Sequence, residues 1–250
     1  MKPRLQGKAV IITGAAGGMG KAEAILFAEQ GAQVLATDTQ LEKLETWVAA
    51  SKKAGLVIEC MQHDVCSESD WAAVVAQAVK RFGKVDVLVN NAGVYPAGAN
   101  TKTTDKAAWD KVIAINLTGP FLGVKAVLPE LQKRGGVIVN VSSIAGLVGG
   151  NGPAYSASKA GLTLLTKDLA VEFAKDNIRV NSLHPGGVLT PMTDFFTQVP
   201  GAAEMIKNSS PQGRLADPRE LATAALFLAC DDSSFMTGAE LVVDGGMTAR

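Results

Sequence analysis

Tyr155 and Lys159, in the stretch YSASK, stand four residues apart, so a helix would set a phenol and an ammonium on one face. A free phenol titrates near ~10 and is rarely an anion at neutral pH. Lowering it to ~7 takes about three pKa units, or ~4 kcal/mol. One ammonium at ~4 Å supplies about that much at an effective dielectric of ~20. Such a pair could move a proton, and VNVSSIAG offers a hydroxyl to work beside it. Strand alternation puts Ser143 on the face of Val139 and Val141 and Ser142 on the other, so Ser143 is the preferred partner and Ser142 the alternative. Leu162, Leu165, Leu169 and Phe173 continue the Tyr155–Lys159 face, which should therefore pack inward. Elsewhere a bare Tyr-x-x-x-Lys is usually an exposed helix pair, so the surrounding elements must decide.

Those elements are short Val- and Ile-rich runs alternating with amphipathic stretches. Strands are expected at Ala9–Thr13, Val34–Thr37, Val57–Met61, Val85–Val89, Val137–Val141, Arg179–Leu183 and Leu241–Val243. Helices are expected at Lys21–Gln30, ended by Gly31, and at Asp70–Phe82, ended by Gly83. The alternation predicts an α/β fold: a Rossmann-type, doubly wound, seven-stranded parallel sheet with helices on both faces. The 250 residues fit one domain, 1–250, and no repeat or linker marks a second. Residues 186–218 hold four of the ten prolines and form the one long irregular region, which a compact domain tends to use.

Net charge is zero, with 24 basic and 24 acidic residues, so no field draws nucleic acid or anionic lipid. Lys2, Arg4 and Lys8 before an apolar run imitate a secretory signal, but Lys21 and Glu23 follow too soon. No uninterrupted apolar stretch approaches the ~20 residues of a membrane span. Cys60, Cys66 and Cys230 form neither an even framework nor a Cys-x-x-Cys pair, as suits reduced thiols in the cytoplasm.

VIITGAAGGMGKAEA places Gly14, Gly18 and Gly20 between the first strand and the first helix. Gly14 permits the tight turn, Gly18 a close backbone approach to a pyrophosphate, and Gly20 close packing of the helix, whose N-terminus offers free N–H groups. Asp38 ends the second strand 18 residues beyond Gly20, where a carboxylate accepts from ribose hydroxyls and repels a 2′-phosphate. The cofactor expected is therefore NAD; the alternative for Asp38 is a cap on the next helix. Thr37 and Thr39 offer no cation for a 2′-phosphate. His63–Val65 could edge the adenine. Three candidate ligands on one turn with no distant partner argue against a metal there, and none is expected.

Taken together these stretches resemble the short-chain dehydrogenase/reductase family over essentially the whole chain. Thr13–Gly20 is similar to its T-G-x-x-x-G-x-G turn, and Asn90-Asn91-Ala92-Gly93 to its N-N-A-G segment. Asn116 falls at its helix-bend asparagine, and Ser143, Tyr155 and Lys159 at its serine, tyrosine and lysine. Gly146, three residues past the second serine, favours Ser143 in that alignment. Pro185-Gly186 and Thr190 match the segment that holds the nicotinamide end. The resemblance implies hydride exchange between NAD(H) and a secondary alcohol or ketone, Tyr155 moving the proton and Ser143 binding the substrate oxygen. It also implies that Lys159 grips the nicotinamide ribose and that Asn116 holds a proton-relaying water; the alternative for Asn116 is a helix-bend residue serving local backbone. The full set of expected cofactor contacts is Gly14, Gly18, Met19, Gly20, Asp38, Asp64, Val65, Asn91, Ala92, Gly93, Tyr155, Lys159, Pro185, Gly186, Val188 and Thr190.

Residues 186–218 would then be a substrate lid. Val188, Met192, Phe195, Phe196 and Met205 offer it a soft apolar surface, with Val94 and Tyr95 on the opposite wall; the two phenylalanines could equally pack the lid's own helix. Lys207 and Arg214 lie toward its far end, which favours a neutral secondary alcohol or ketone, a cyclic one included, over an anion. HPGGVLTPMT and ELVVDGGMTAR look like bacterial cyclic-alcohol and hydroxysteroid dehydrogenases. A second stripe on the Tyr155 helix, Ala157, Ala160, Leu164 and Val171, suggests a subunit contact, and members of the family are typically homotetramers. Two other functions stay open: an NADPH-dependent 3-oxoacyl-carrier-protein reductase, which Asp38 opposes, and a non-catalytic dinucleotide-binding protein.

Overall fold

A computed structural model describes residues 3–194 and 200–249. Seven parallel strands form one sheet in the order β3-β2-β1-β4-β5-β6-β7. They are β1 (Ala9–Thr13), β2 (Gln33–Asp38), β3 (Ile58–Gln62), β4 (Val87–Asn90), β5 (Gly136–Val141), β6 (Ile178–Pro185) and β7 (Glu240–Val243). Every expected strand is present, with ends moved by up to two residues. Val10 and Ile12 of β1 face one apolar cluster and Ile11 the other, so the strand is buried on both sides and reads as an unbroken apolar run.

Helices α1 (Gly18–Glu29), α2 (Leu41–Lys53) and α8 (Pro218–Ala229) contribute to the first cluster. Helices α3 (Glu68–Phe82), α5 (Gly119–Leu131) and α6 (Pro153–Phe173) contribute to the second. The helix ends follow local chemistry. Ser67 accepts from the Asp70 N–H at the start of α3, and Gly83 ends it in the left-handed region at φ 77°. Asp217 and Glu220 close a reciprocal capping box on α8. Chain order reverses between β1 and β4, so the crevice at the strand C-termini opens there.

α4 (Lys106–Ile113), a π-helical turn (Ala114–Thr118) and α5 run on as one helix of 26 residues. By length and composition it is long and apolar enough to cross a membrane, contrary to the expectation from uninterrupted runs. Asp110, Lys111 and Lys125 break the apolar stretch in sequence, and only helical continuity joins its pieces. Here it packs between α3 and α6 on the sheet. A last short helix, α7 (Ala202–Ser209), stands in the 186–218 region.

Candidate active site

The turn after β1 is locked from below. Thr13 Oγ1 accepts from the backbone N–H groups of Asn91 and Ala92 at 3.1 and 3.0 Å. The Asn91 amide returns two bonds, to the carbonyls of Thr13 and Gly14 at 2.9 and 3.1 Å. Gly14, at φ +67°, has no room for a side chain: a Cβ would lie 2.7 Å from the Ala92 Cα. The helix begins inside the glycine turn rather than after it, so Gly18, Met19 and Gly20 are its first three residues. Their N–H groups have no intrahelical partner, and no acidic residue stands in that turn to neutralise them. Glycines with Cβ-sized clearance removed and open N–H donors fit a pyrophosphate.

Asp38 does two jobs. One carboxylate oxygen accepts from Ala16 N at 3.0 Å, tying the glycine turn to the end of β2. The other accepts from Gln40 N at 3.0 Å, just before α2; Gln40 is itself the N-cap and no side chain caps that helix, so the capping alternative is not realised. Val65 is buried, whereas Asp64 is exposed and accepts from Cys66 N at 2.9 Å. His63 Nδ1 pairs with Thr37 Oγ1 at 3.0 Å, and burial holds its pKa down to about 4, so it is neutral. Among the described residues no three His, Cys, Asp or Glu side chains converge as metal ligands would.

The structure brings Asn116, Ser143, Tyr155 and Lys159 to one place. Pro153 at the first helical position and Gly152 before it launch α6, which carries Tyr155 in its first turn. Ser143 hydrogen-bonds Tyr155 through the side chains. Ser142 points elsewhere: its hydroxyl donates to the Lys159 carbonyl at 2.9 Å and meets Thr163 Oγ1 at 3.0 Å, pinning β5 to α6. Tyr95 stacks edge-to-face on Tyr155, with centroids 4.8 Å apart. Asn116 is fully buried in the π-helical turn; its Oδ1 accepts from Val94 N at 2.8 Å, and its Nδ2 donates to Val94 O at 2.9 Å and Ser158 Oγ at 3.2 Å. A Cβ on Gly93 would fall 3.3 Å from Asn116 Oδ1 and 3.5 Å from Lys159 Nζ, so the N-N-A-G segment closes over both.

The electrostatics correct one expectation. Lys159 is 3% exposed, its Nζ donates to the Val141 carbonyl at 2.8 Å, and it lies 5.8 Å from the Tyr155 ring centroid. Burial pushes its pKa down to about 8. Tyr155 is not pulled toward neutrality. Burial raises it, the hydrogen bond with Ser143 opposes the rise, and Tyr95 adds to it. An ammonium at ~4 Å and an effective dielectric of ~20 does not by itself offset the cost of drying the phenol.

The second wall is the segment after β6. Gly186 lies backbone to backbone on Asp244, where a Cβ would meet its Cα at 2.8 Å. Thr190 faces Gly18, where a Cβ would lie 3.2 Å from the Thr190 side chain, so the glycine turn and the segment after β6 meet across the crevice. Val188 departs from expectation: its side chain is 3% exposed and packs with Leu221 and Leu183 in the core, leaving only its backbone for a ligand. Met192 and Met205 are exposed, and Phe195 and Phe196 lie outside the described residues. The stripe on the far side of α6 is bare: Leu164 is 68% and Val171 82% exposed, and no described helix covers them.

Three groups support the site from behind, and His184 among them is the buried strand-end residue that its place before Pro185 suggests. His184 Nδ1 meets the Ser143 carbonyl at 3.0 Å and its Nε2 meets Ser182 Oγ at 2.8 Å, fixing the backbone that presents Ser143. Ser158, inside YSASK itself, joins Asn116 to the Tyr155 carbonyl. Glu23 on α1 is wholly buried with neither carboxylate oxygen bonded, and burial raises its pKa to about 8. Only the apolar neighbours of Glu23 could have hinted at that.

A protein family described as enoyl-(acyl carrier protein) reductase matches residues 14–248. A trans-4-hydroxycyclohexanecarboxylate dehydrogenase of Sinomonas cyclohexanicum is 44% identical, covering 98% of this chain and 95% of that protein. A cyclopentanol dehydrogenase of Comamonas sp. is 42% identical, covering 99% of each. The crystal structure of levodione reductase superposes with a TM-score of 0.93 at 33% identity, over 98% of this chain and 99% of that one. With the family match running over residues 14–248 and relatives above 40% identity along nearly the whole chain, this chain belongs to the short-chain dehydrogenase/reductase family of oxidoreductases.

Proposed function

We propose that the chain is an NAD(H)-dependent dehydrogenase of neutral, cyclic secondary alcohols, run in reverse as a ketone reductase. The observation that carries this reading is the convergence of Ser143, Tyr155 and Lys159 beside the crevice that Gly14, Gly18, Gly186 and Thr190 line. Gly14, Gly18, Met19 and Gly20 would hold the pyrophosphate, Asp38 the adenosine ribose, Val65 and Asp64 the adenine, and Ala92, Gly93, Pro185, Gly186, the Val188 backbone and Thr190 the nicotinamide half. When bound, the dinucleotide supplies the hydride acceptor or donor.

The chain's own residues handle the proton. Ser143 Oγ donates to the substrate oxygen and fixes its position. Tyr155 gives its proton to that oxygen in reduction, for which a phenol kept neutral by burial is already in the right form. In oxidation it must accept a proton, and only added positive charge near the phenol oxygen brings it into range. The Lys159 ammonium contributes part of that charge and, by the same position, reaches the ribose. Asn116 Oδ1 spends one of two lone pairs on Val94 N, keeping a second for a proton-carrying water.

The lid supports a neutral substrate. Arg214, its one arginine, is held by both oxygens of Glu220 at 2.7 and 2.8 Å, so it is engaged with the α8 cap. Leu189, Met192 and Met205 offer exposed apolar surface instead. Both relatives are named for cyclic alcohols; cyclopentanol is neutral, whereas trans-4-hydroxycyclohexanecarboxylate carries a carboxylate, so the names support a cyclic alcohol and the lid supports its neutrality. The carboxylate at Asp38 supports NAD over NADP. The bare stripe of Leu164 and Val171 supports a homotetramer, and three free cysteines a cytoplasmic setting. The test is a panel of cyclic ketones and secondary alcohols with each dinucleotide, Tyr155→Phe as control. Turnover that prefers NADPH, or an unimpaired Tyr155→Phe, sinks the reading; light scattering checks the assembly.

A further inference from the structure

Beyond β7 the chain makes a turn that touches both halves of the candidate site. Asp244 builds it: one carboxylate oxygen accepts from Gly246 N at 2.8 Å, and the other from Thr248 N at 2.8 Å and Thr248 Oγ1 at 2.7 Å. Burial raises the Asp244 pKa, but these bonds outweigh it and hold the carboxyl below its usual range, so the turn stays assembled at working pH. On one side lies Gly186, whose N–H donates to the Val243 carbonyl at 3.1 Å and whose Cα approaches Asp244 without a side chain between. On the other side the Gly245 carbonyl accepts from Gln212 N at 3.2 Å and from the buried Ser210 Oγ at 3.3 Å. Gly245 sits at φ +64°, and a Cβ there would lie 2.6 Å from Ser210 Oγ. Ser210 directly follows α7, the end of the lid helix.

One rigid turn thus spans the distance between the segment that would hold the nicotinamide end and the far hinge of residues 186–218. We propose that the Asp244–Thr248 turn is the distal anchor of the substrate lid, and that Asp244, Gly245 and Ser210 are positioning residues that set how tightly the alcohol is held without touching it. This rests on the reading of residues 186–218 as the lid of an alcohol dehydrogenase.

The test is steady-state kinetics with cyclopentanol and NAD, together with NADH titration by fluorescence, on Gly245→Ala, Ser210→Ala and the double variant. A misplacement of about 1 Å can cost up to ~100-fold, so a shifted hinge in Gly245→Ala should raise the KM for cyclopentanol about tenfold. The kcat and the NADH Kd should stay within about twofold, because the catalytic groups and the glycine turn are untouched. Ser210→Ala removes one hydrogen bond and introduces no clash, so its KM should rise only about two- to threefold. The double variant should recover part of the Gly245→Ala loss, because the atom the new methyl meets is gone. An unchanged KM in Gly245→Ala overturns the inference, as does a parallel fall in kcat, KM performance and NADH affinity with no recovery in the double variant. A wild type that turns over no alcohol or ketone overturns the functional reading and this inference with it.

Discussion

The glycine turn after β1 and the segment after β6 meet at Gly18 and Thr190, yet they are built on different plans. Below the turn, Thr13 and Asn91 bond each other, Asn116 bonds Val94 and Ser158, and Lys159 bonds the Val141 carbonyl, all between 2.8 and 3.2 Å. Backbone approaches backbone there so closely that side chains are excluded. The later segment is held at its ends, by Asp244 on Gly186 and by Gly245 on Ser210, while Leu189, Met192 and Met205 stay exposed. A dinucleotide is the same molecule in every turnover, so its side gains from a rigid seat; alcohols differ, and soft, exposed thioethers can adapt to them.

That contrast can be broken by experiment, starting with the chemistry that both walls serve. Tyr155→Phe should lower kcat about 10³-fold with NADH binding intact, since only the proton-carrying oxygen is lost while the stacked ring remains. A loss confined to NADH binding would place Tyr155 on the rigid side alone. Gly14→Ala should cost about 3 kcal/mol of stability by denaturant titration, from its φ of +67° and the 2.7 Å approach to Ala92. A loss under 1 kcal/mol would mean that the seat yields as easily as the lid.

Glu23 is a misfit on the rigid side, a buried carboxyl with neither oxygen bonded. Its folded pKa of about 8 lies above the ordinary 4.5, so the folded state binds more protons between those values. Stability from this group is therefore full below pH 4.5 and lost as pH rises to about 8. Glu23→Leu should flatten that slope and add about 2 kcal/mol at pH 8, read as urea midpoints across pH. An unchanged slope would show that the carboxyl finds a partner in solution. The smallest effect belongs to the lid: Met205→Ser should change the KM for a cyclic alcohol by less than about threefold and leave kcat alone, because the thioether is one replaceable part of a soft surface.

How much of this was legible in sequence follows the same divide. The inner strands show in the Val and Ile runs because they are buried on both faces, the half-buried edge strands β3 and β7 show in shorter runs, and the glycine turn shows because only one residue type tolerates its geometry. The choice of Ser143 over Ser142 follows from strand alternation, and the structure puts Ser143 at Tyr155 and Ser142 at Thr163. What could not be read were quantities set by depth. Lys159 and Tyr155 share a face as expected, but their protonation depends on burial and on the Val141 carbonyl, which no spacing encodes. Val188 reads as a lid residue by position and is a core residue by contact. Helical continuity across three charged residues likewise hid the full length of the helix that carries Asn116.

The π-helical turn at Ala114–Thr118 holds one residue more than an α-helical turn would. That surplus aims Asn116 at Val94 while α4 and α5 keep a common axis. Excising a single residue there would restore a regular ladder with the flanks still in line, turn Asn116 off its aim, and strip Val94 of both its bonds. The register of a long helix is thus stored in a local insertion, and shortening the chain by one letter should do more harm than exchanging any letter nearby.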